Sequence, residues 1–285
     1  MAHEKRVDSY QAPQAHAFTF PFGMPIVPVR QRDTGPKPIF VLGVYASAVH
    51  ARWVANDGKT IINALAVASE PEIFWRGNDA GAIIGQIPVP PGAGRLVAAG
   101  ATLNGPSGVT LDSMFLEPLG ITRQDAWLCD LLPESRCNPR QRVAIEREYD
   151  PRREALGLPA HDFPGVPSTL ASAARRREIE GEILSASSEV LVTLGDQPLK
   201  WFAKHYGSRP TLSLYGQTPE SYGRLHDLEI GGRALKLLPL VHPRQAGRLG
   251  SHSAVWSTLH AHWADHVATG LLASAREAAE GDRRG

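Results

Sequence analysis

The sequence predicts an α/β fold: a single domain with a central, mostly parallel sheet flanked by helices. Three short apolar runs, at 38–43, 126–132 and 189–194, have the length and composition of buried strands. Patterns at 168–187, with Ser168 as the N-cap, and at 253–273 indicate helices. Strands that alternate with helices along a chain typically pair in parallel, which favours a doubly wound sheet.

The remaining segments complete this architecture. Residues 1–37 are polar and then rich in Phe and Pro, which predicts an irregular N-terminal arm that packs through its aromatic rings. The α/β domain follows over 38–275, and 276–285 is predicted to be a flexible tail. Within the domain we expect hairpins or an irregular insertion at 60–100, a helix from Gly105 to Gly120, a long excursion at 134–166, and strands at 211–215 and 226–241.

The composition excludes several classes of protein. With 285 residues and a 42% apolar fraction, the chain has the composition of an ordinary globular protein. Its net charge of +1 gives no strong overall electrostatic field that would attract nucleic acid. Cys129 and Cys137 are too few for a disulfide framework or an iron–sulfur cluster, and their spacing does not suit zinc. We therefore expect no metal and no cofactor. No apolar stretch has membrane length and no signal-peptide pattern is present, so we expect a cytoplasmic monomer that does not bind membranes.

Two turns at the ends of apolar runs are the most informative feature of the chain. The first run ends in Gly43-Val44-Tyr45-Ala46-Ser47, and another, over 237–241, ends in His242-Pro243-Arg244. In an open α/β sheet, ligands bind outside the carboxyl ends of the strands. The two turns therefore predict one pocket, in which the imidazole of His242 stabilises a leaving group or a developing anion.

Five segments carry a resemblance to a known family. They are the turn 43–47, the helix start Gly105-Pro106-Ser107-Gly108-Val109-Thr110-Leu111-Asp112, the strand and loop 126–139, the strand 190–195, and the turn His242-Pro243-Arg244. In their order and approximate spacing, over residues 38–265, they resemble the motifs of the uracil-DNA glycosylase superfamily. The iron–sulfur branch of that superfamily is excluded, because its four cluster cysteines are absent.

The resemblance implies an enzyme that flips a pyrimidine nucleotide out of DNA and hydrolyses its N-glycosidic bond. It implies that His242 stabilises the anionic base oxygen, that Asp130 takes the place of the base-reading Asn, and that Tyr45 takes that of the water-orienting residue. The residues expected in the base pocket are Gly43, Val44, Ser47, Leu103, Asn104, Phe74 and Trp75. Those expected to contact DNA are His50, Arg136, Arg140, Pro243, Arg244, Arg248 and Leu249, of which Leu249, Arg248 and Arg244 are candidates to fill the gap left by the flipped base.

The first departure from the family pattern concerns the attacking water. Val44 and Tyr45 occupy positions where the family carries an acid or an amide, and tyrosine is a poor base near pH 7. Another residue could orient the water, the DNA itself could help, or the chemistry could be lost. The replacement candidates are His50, Asp57 and Asp79, each of which has a plain surface role as its alternative.

The second departure concerns the base. An ionised Asp130 only accepts hydrogen bonds, so it disfavours the O4 of uracil and favours an exocyclic amine. Ser47 replaces a tyrosine that, in the best-known branch, closes the space near the pyrimidine C5. Both changes favour a cytosine-type base, including one enlarged at C5, although Asp130 could instead be a structural strand-end carboxylate. Leu103 aligns with the family's stacking aromatic, so the ring is expected from Phe74 or Trp75 unless both are core residues.

The sequence therefore predicts a DNA glycosylase for a modified or cytosine-type pyrimidine, acting in repair or in defence against foreign DNA that carries modified bases. Three alternatives stay open. The first is ordinary uracil repair, and the second is a catalytically silent module that binds damaged or modified DNA. The third is an unrelated hydrolase on the same scaffold, because a fold does not fix a function.

Overall fold

The computed structural model describes residues 18–250 and 252–273. The predicted tail at 276–285 and residues 1–17 of the predicted arm lie outside the described residues. The strands are β1 (Ile39–Tyr45), β2 (Ala48–Val54), β3 (Thr60–Ser69), β4 (Arg95–Ala98), β5 (Ala126–Leu132), β6 (Val190–Leu194), β7 (His226–Ile230) and β8 (Arg233–Leu240). The α-helices of the described residues include α1 (Ala80–Ile84), α2 (Pro106–Leu111), α3 (Pro139–Ala144), α4 (Ala173–Ala186), α5 (Asp196–Trp201), α6 (Pro243–Ala246) and α7 (Ala254–His266).

The central sheet contains five strands in the order β5-β1-β6-β8-β7. Its neighbours are parallel except for the antiparallel β7–β8 hairpin. This confirms the predicted α/β fold with a central, mostly parallel sheet in a single domain. Gly43 of β1 lies opposite Asp130 of β5, and Leu194 of β6 lies opposite Leu240 of β8. The ends of β1, β5 and β8 therefore meet at one carboxyl edge, where such sheets bind ligands.

A second sheet, with the order β3-β2-β4, is antiparallel throughout. Strand β2 begins three residues after β1 ends and was not predicted, because the residues before it form the first turn and His50 and Arg52 interrupt its apolar pattern. The predicted insertion at 60–100 contains β3, α1 and β4. This second sheet brings the end of β3 to the same carboxyl edge, since the backbone N–H of Ser47 donates to the Glu70 side chain.

Several predicted boundaries are wrong. Helix α4 begins at Ala173, with Ser172 rather than Ser168 as its N-cap, and the buried Leu170 and Ala171 form a bend before the helix. The strand predicted at 211–215 is a short 3₁₀ helix, Leu212–Tyr215. Strand β1 runs to Tyr45, beyond the predicted 38–43, so Val44 and Tyr45 are strand residues. Helix α7 ends at His266, before the predicted end at 273.

The predicted helix at 105–120 is observed as α2 followed by a π-helical turn, Asp112–Leu116, and the chain reverses at Gly120, whose φ is +71°. The described part of the arm packs on the second sheet by its aromatic rings. The ring of Phe22 lies 5.4 Å from that of Trp53 and 5.4 Å from that of Tyr149. Among the helices of the described residues, none combines the length and the apolar character needed to cross a membrane.

Candidate active site

A small cavity, here called the edge cavity, opens at the carboxyl edge of the central sheet. It contains five of the residues singled out from the sequence, together with Glu70 and the start of α2. Its lining residues are Tyr45, Ser47, Glu70, Phe74, Trp75, Gly105, Pro106, Ser107, Gly108 and Asp130. The β1 turn and the end of β5 meet at this cavity, whereas the turn predicted to share a pocket with the β1 turn, His242-Pro243-Arg244, does not line it.

The close approach of Asp130 and Phe74 to β1 requires a glycine at position 43. A Cβ built on Gly43 would overlap the Oδ1 atom of Asp130 and would lie 2.8 Å from Cζ of Phe74. The Asp130 side chain therefore crosses the bare backbone of β1, where its carboxyl group also accepts a hydrogen bond from the Val44 amide. Gly43 and Val44 contribute to the site through their backbone.

Burial raises the pKa of Asp130 to about 7, and the nearby Arg175 guanidinium limits the rise. Arg175 also fixes the strand end, because its Nη2 donates to the backbone oxygen of Asp130 at 2.8 Å and its Nε to that of Leu131 at 3.3 Å. Near neutral pH, Asp130 therefore exists both protonated and ionised. This corrects the sequence-based assumption of an ionised carboxylate, because the protonated form has an O–H donor.

Glu70 is the residue of the edge cavity that the sequence analysis missed. It is only 4% exposed, and its Oε1 accepts from the backbone N–H of Ser47 at 2.9 Å. Burial raises its pKa to about 8, and the negative charge of Asp130 adds to the rise, while the amides of Ser47 and Trp75 oppose it. A lone acidic residue after an unrecognised strand gave no signal in the sequence.

Phe74 and Trp75 reach the edge cavity from a strained loop. Phe74 has a φ of +52°, a left-handed conformation that is costly for a residue with a side chain. Arg123 stabilises it by donating from Nη2 to the backbone oxygen of Phe74 at 2.6 Å and from Nη1 to that of Ile73 at 3.2 Å. The Phe74 ring lies over Gly43, whereas the indole of Trp75 donates to Asp79 at 2.6 Å. Asp79, a candidate for orienting water, is therefore already bound to Trp75.

His242 is the N-cap of α6, half-buried, and not among the side chains that line the edge cavity. Its Nδ1 accepts from the Arg244 amide at 3.2 Å, so the proton of the neutral ring is on Nε2. Burial, helped by the positive charge of Arg244, lowers the pKa of His242 to about 4. The imidazole is therefore a neutral N–H donor at physiological pH.

Buried hydrogen bonds hold the backbone next to His242. The hydroxyl of Tyr222 accepts from the Val241 amide at 3.0 Å and pairs with Nδ1 of His260 at 2.8 Å. The Nε2 atom of His260 donates to the backbone oxygen of Met114 at 3.0 Å. These four residues, here called the Met114–Val241 chain, connect β8 to α7 and to the π-helical turn after α2.

Tyr45 lies near both parts of the site. Burial raises the pKa of its phenol, which the charge of Arg244 lowers and that of Asp130 raises. The hydroxyl stays protonated at neutral pH and can donate a hydrogen bond to a water molecule, but it cannot act as a base.

Other residues predicted for the base pocket lie outside the edge cavity. The side chain of Asn104 is buried and bonds to the backbone of His50 at 2.8 and 2.9 Å and to Ala99 at 3.1 Å, which joins β2 to the loop before α2. Leu103 is 42% exposed. Asp57 lies in the turn between β2 and β3, where its side chain pairs with that of Lys59. Strand β2 begins next to Ser47 and ends before this turn, so Asp57 is at the far end of β2 from Ser47.

Six of the seven residues expected to contact DNA fall into two groups, and the seventh, His50, lies in β2. Arg244 and Arg248 are exposed beside His242, Leu249 is partly exposed, and Pro243 is buried at the start of α6. Arg140 is exposed at the start of α3, whereas the Arg136 side chain is only 11% exposed and pairs with Glu134 at 3.0 Å. In residues 18–250 and 252–273, His, Cys, Asp and Glu side chains form no group of three that could hold a metal ion.

Comparison with known proteins agrees with the geometry. A search of curated protein sequences finds no match. The sequence model of the uracil DNA glycosylase superfamily matches residues 77–261, more than half of the chain. The matched part contains Asp130 and His242 and begins after Phe74. Members of this superfamily are DNA glycosylases, which are hydrolases that act on DNA. The chain belongs to the uracil-DNA glycosylase superfamily.

Proposed function

We propose that this protein flips a pyrimidine nucleotide out of DNA and hydrolyses its N-glycosidic bond. The observation that carries the proposal is the neutral imidazole of His242, which lies at the same sheet edge as Asp130. Its Nδ1 accepts from the Arg244 amide, so the ring presents Nε2–H as its donor. When the bond breaks, the base leaves as an anion. A preorganised N–H donor stabilises such an anion without a proton transfer.

The remaining residues of the edge cavity supply recognition. The Phe74 ring offers a face for stacking, and base–aromatic stacking contributes roughly 1–3 kcal/mol. Asp130 faces the edge of the base. The hydroxyl of Tyr45 orients the water that attacks the sugar carbon, which needs little help from a base because the sugar is already oxocarbenium-like.

The proposed substrate is a modified or cytosine-type base. An ionised Asp130 accepts from an exocyclic amine, and the small Ser47 leaves room near C5. Excision of such a base would serve repair, or defence against foreign DNA that carries modified bases.

A specific observation favours a second candidate, ordinary uracil repair. With its pKa raised to about 7, Asp130 is protonated in half of the molecules near neutral pH. The neutral carboxyl group then donates to O4 and accepts from N3–H of uracil, as an Asn amide does. A third candidate, a silent DNA-binding module, is favoured by the lack of an acid at Val44 and Tyr45.

A panel of oligonucleotides tests the proposal. Single- and double-stranded DNAs carrying uracil, cytosine or 5-substituted cytosines are incubated with the protein, and abasic sites are scored. We expect cleavage of at least one cytosine-type base by the wild type and strong loss of cleavage in His242→Ala. Cleavage of uracil alone would favour repair of deaminated DNA. Binding without any abasic sites would favour the silent module.

A further inference from the structure

We propose that Arg123 is a positioning residue of the edge cavity: it fixes the backbone of Phe74 and so holds the Phe74 ring in place for stacking on the flipped base. This inference rests on the proposed function and makes it more specific. Because every base offers an aromatic face, it applies to a cytosine-type base and to uracil alike.

Phe74 lies at the edge cavity in a backbone conformation that a residue with a side chain rarely adopts. Its φ is +52°, in the left-handed region. Such a conformation persists only where the surrounding structure enforces it. The Phe74 side chain lines the edge cavity, with its ring over Gly43. The contacts that enforce the backbone conformation of Phe74 therefore also determine where its ring lies.

The guanidinium group of Arg123 makes such contacts. Its Nη2 donates to the backbone oxygens of Phe74 at 2.6 Å and Gly108 at 3.3 Å, and its Nη1 donates to that of Ile73 at 3.2 Å. Its Nε donates to Oδ1 of Asp112 at 2.6 Å. A planar guanidinium group can make these bonds at once, because its five N–H donors form a rigid fork. Arg123 therefore ties the backbone of the Phe74 loop to α2 and to the π-helical turn that follows it.

The Phe74 loop lies directly on the start of α2, with no side chain between the two backbones. A Cβ built on Gly108 would overlap the backbone oxygens of Phe74 and Trp75. A Cβ built on Gly105 would overlap the backbone of Arg76. Glycine at these two positions brings the backbone oxygens of Phe74 and Gly108 within reach of the same guanidinium group.

Arg123 acts through Phe74 and not by touching the base. It is not among the residues that line the edge cavity, and its side chain is only 18% exposed. Its charge is already paired with Asp112 at 2.6 Å and lies 3.9 Å from Glu72, which leaves it poorly placed to bind a DNA phosphate. Without the fork, the backbone of Phe74 can leave the left-handed region, and the ring then loses its place in the cavity.

The experiment measures binding, so that it does not depend on catalysis. Single-stranded oligonucleotides, in which no base pair has to open, carry at one position either a hydrolysis-resistant 2′-fluoroarabino cytosine or uracil, or a tetrahydrofuran abasic analogue. Fluorescence anisotropy gives the ratio of the Kd values with and without the base, here called the base preference. Phosphate contacts are common to both ligands and cancel in this ratio. We expect the wild type to prefer the base by about tenfold and Phe74→Ala to lose most of that preference.

The variant that tests Arg123 is Arg123→Lys. It keeps the positive charge beside Asp112, but a single ammonium group does not reach all the oxygens that the fork reaches. We expect it to lower the base preference by about fivefold, and to have no further effect in a Phe74→Ala background, where the ring is gone. The matched control is Arg76→Lys, because Arg76 is exposed and pairs with the same Asp112 at 3.7 Å. It should leave the base preference unchanged.

Gly108→Ala takes the place of Arg123→Lys if the latter does not fold. Its Cβ would displace the Phe74 loop without a change in charge, so the same results are expected. The inference is overturned if the wild type shows no base preference, if the folded variant keeps that preference, or if the variant lowers it equally with and without the Phe74 ring.

The outcomes also separate the inference from the proposed function. The expected dependence of Arg123 on Phe74, in a protein that forms no abasic sites, would keep the inference and reject the proposed catalysis. Abasic sites formed by a protein whose Arg123→Lys variant keeps the full base preference would keep the proposed function and reject the inference.

Discussion

Asp130→Asn tests how the site reads the base, through the pH dependence of uracil cleavage. The substitution keeps the shape of the side chain, removes its titration, and supplies a permanent N–H donor for O4. In the wild type only the protonated carboxyl group has that donor. With a pKa of about 7, about nine tenths of the molecules have it at pH 6 and about one tenth at pH 8.

The expected magnitude follows from these fractions. At pH 6, Asp130→Asn should cleave uracil about as fast as the wild type, and at pH 8 about tenfold faster. Single-turnover rates on one uracil oligonucleotide at both values give the comparison. His242 has a pKa of about 4 and stays neutral over this range. Tyr45, whose pKa is raised, stays protonated, and the guanidinium group of Arg175, whose pKa is also raised, stays charged.

Glu70 is the group that could obscure the result, because its pKa of about 8 lies in the same range. The same pair of measurements in a Glu70→Gln background removes this overlap. An equal effect of Asp130→Asn at pH 6 and pH 8, in a folded and active protein, would refute the reasoning, since the charge of Asp130 would then not affect base recognition.

Three further predictions concern chemistry, DNA contact and stability. His242→Ala should lower single-turnover cleavage by roughly 10²–10³ with DNA binding largely kept, the scale of losing one preorganised donor; an unchanged rate would remove His242 from the chemistry. Replacing both Arg244 and Arg248 by Ala should weaken DNA binding and flatten its salt dependence, because fewer counterions are released; an unaltered salt slope would place the DNA surface elsewhere. The pKa of Glu70 is raised from 4.5 to about 8, so its stabilising contribution is complete below pH 4.5 and is lost as the pH rises to 8. Thermal melts should therefore show a larger decrease in Tm from pH 5 to pH 8 in the wild type than in Glu70→Gln. Equal decreases in the two proteins would contradict the raised pKa of the buried Glu70 side chain.

Much of the fold was predictable because parallel strands leave a simple signal. The apolar runs that became β1, β5 and β6 are buried along nearly their whole length, so they read as strands without periodicity. The rule that ligands bind at the carboxyl ends of such strands then placed Asp130 and His242 at one edge. The helix was predicted to begin too early because the buried Leu170 and Ala171, which form a bend, leave the same apolar signal as the first turn of a helix.

The rest of the site depends on tertiary contacts that local sequence does not encode. Glu70 reaches the edge cavity only because β3 belongs to a second sheet that returns to β1. The left-handed backbone of Phe74 is maintained by Arg123, about fifty residues away. The protonation of Asp130 is a property of burial, which the residue type alone does not give.

Through the Met114–Val241 chain, the stability of the His242 turn depends on the packing of the C-terminal helix α7. His260 is fully buried on α7, and the Val241 amide has the hydroxyl of Tyr222 as its partner. That amide can exchange its hydrogen with solvent only when the contact between α7 and the sheet opens. Hydrogen exchange at the Val241 amide and in α7 should therefore give the same opening free energy. Partial unfolding that begins at α7 would therefore disrupt the His242 turn, which we propose stabilises the anionic base, while the central sheet is still intact. Heating should then inactivate the protein before it melts.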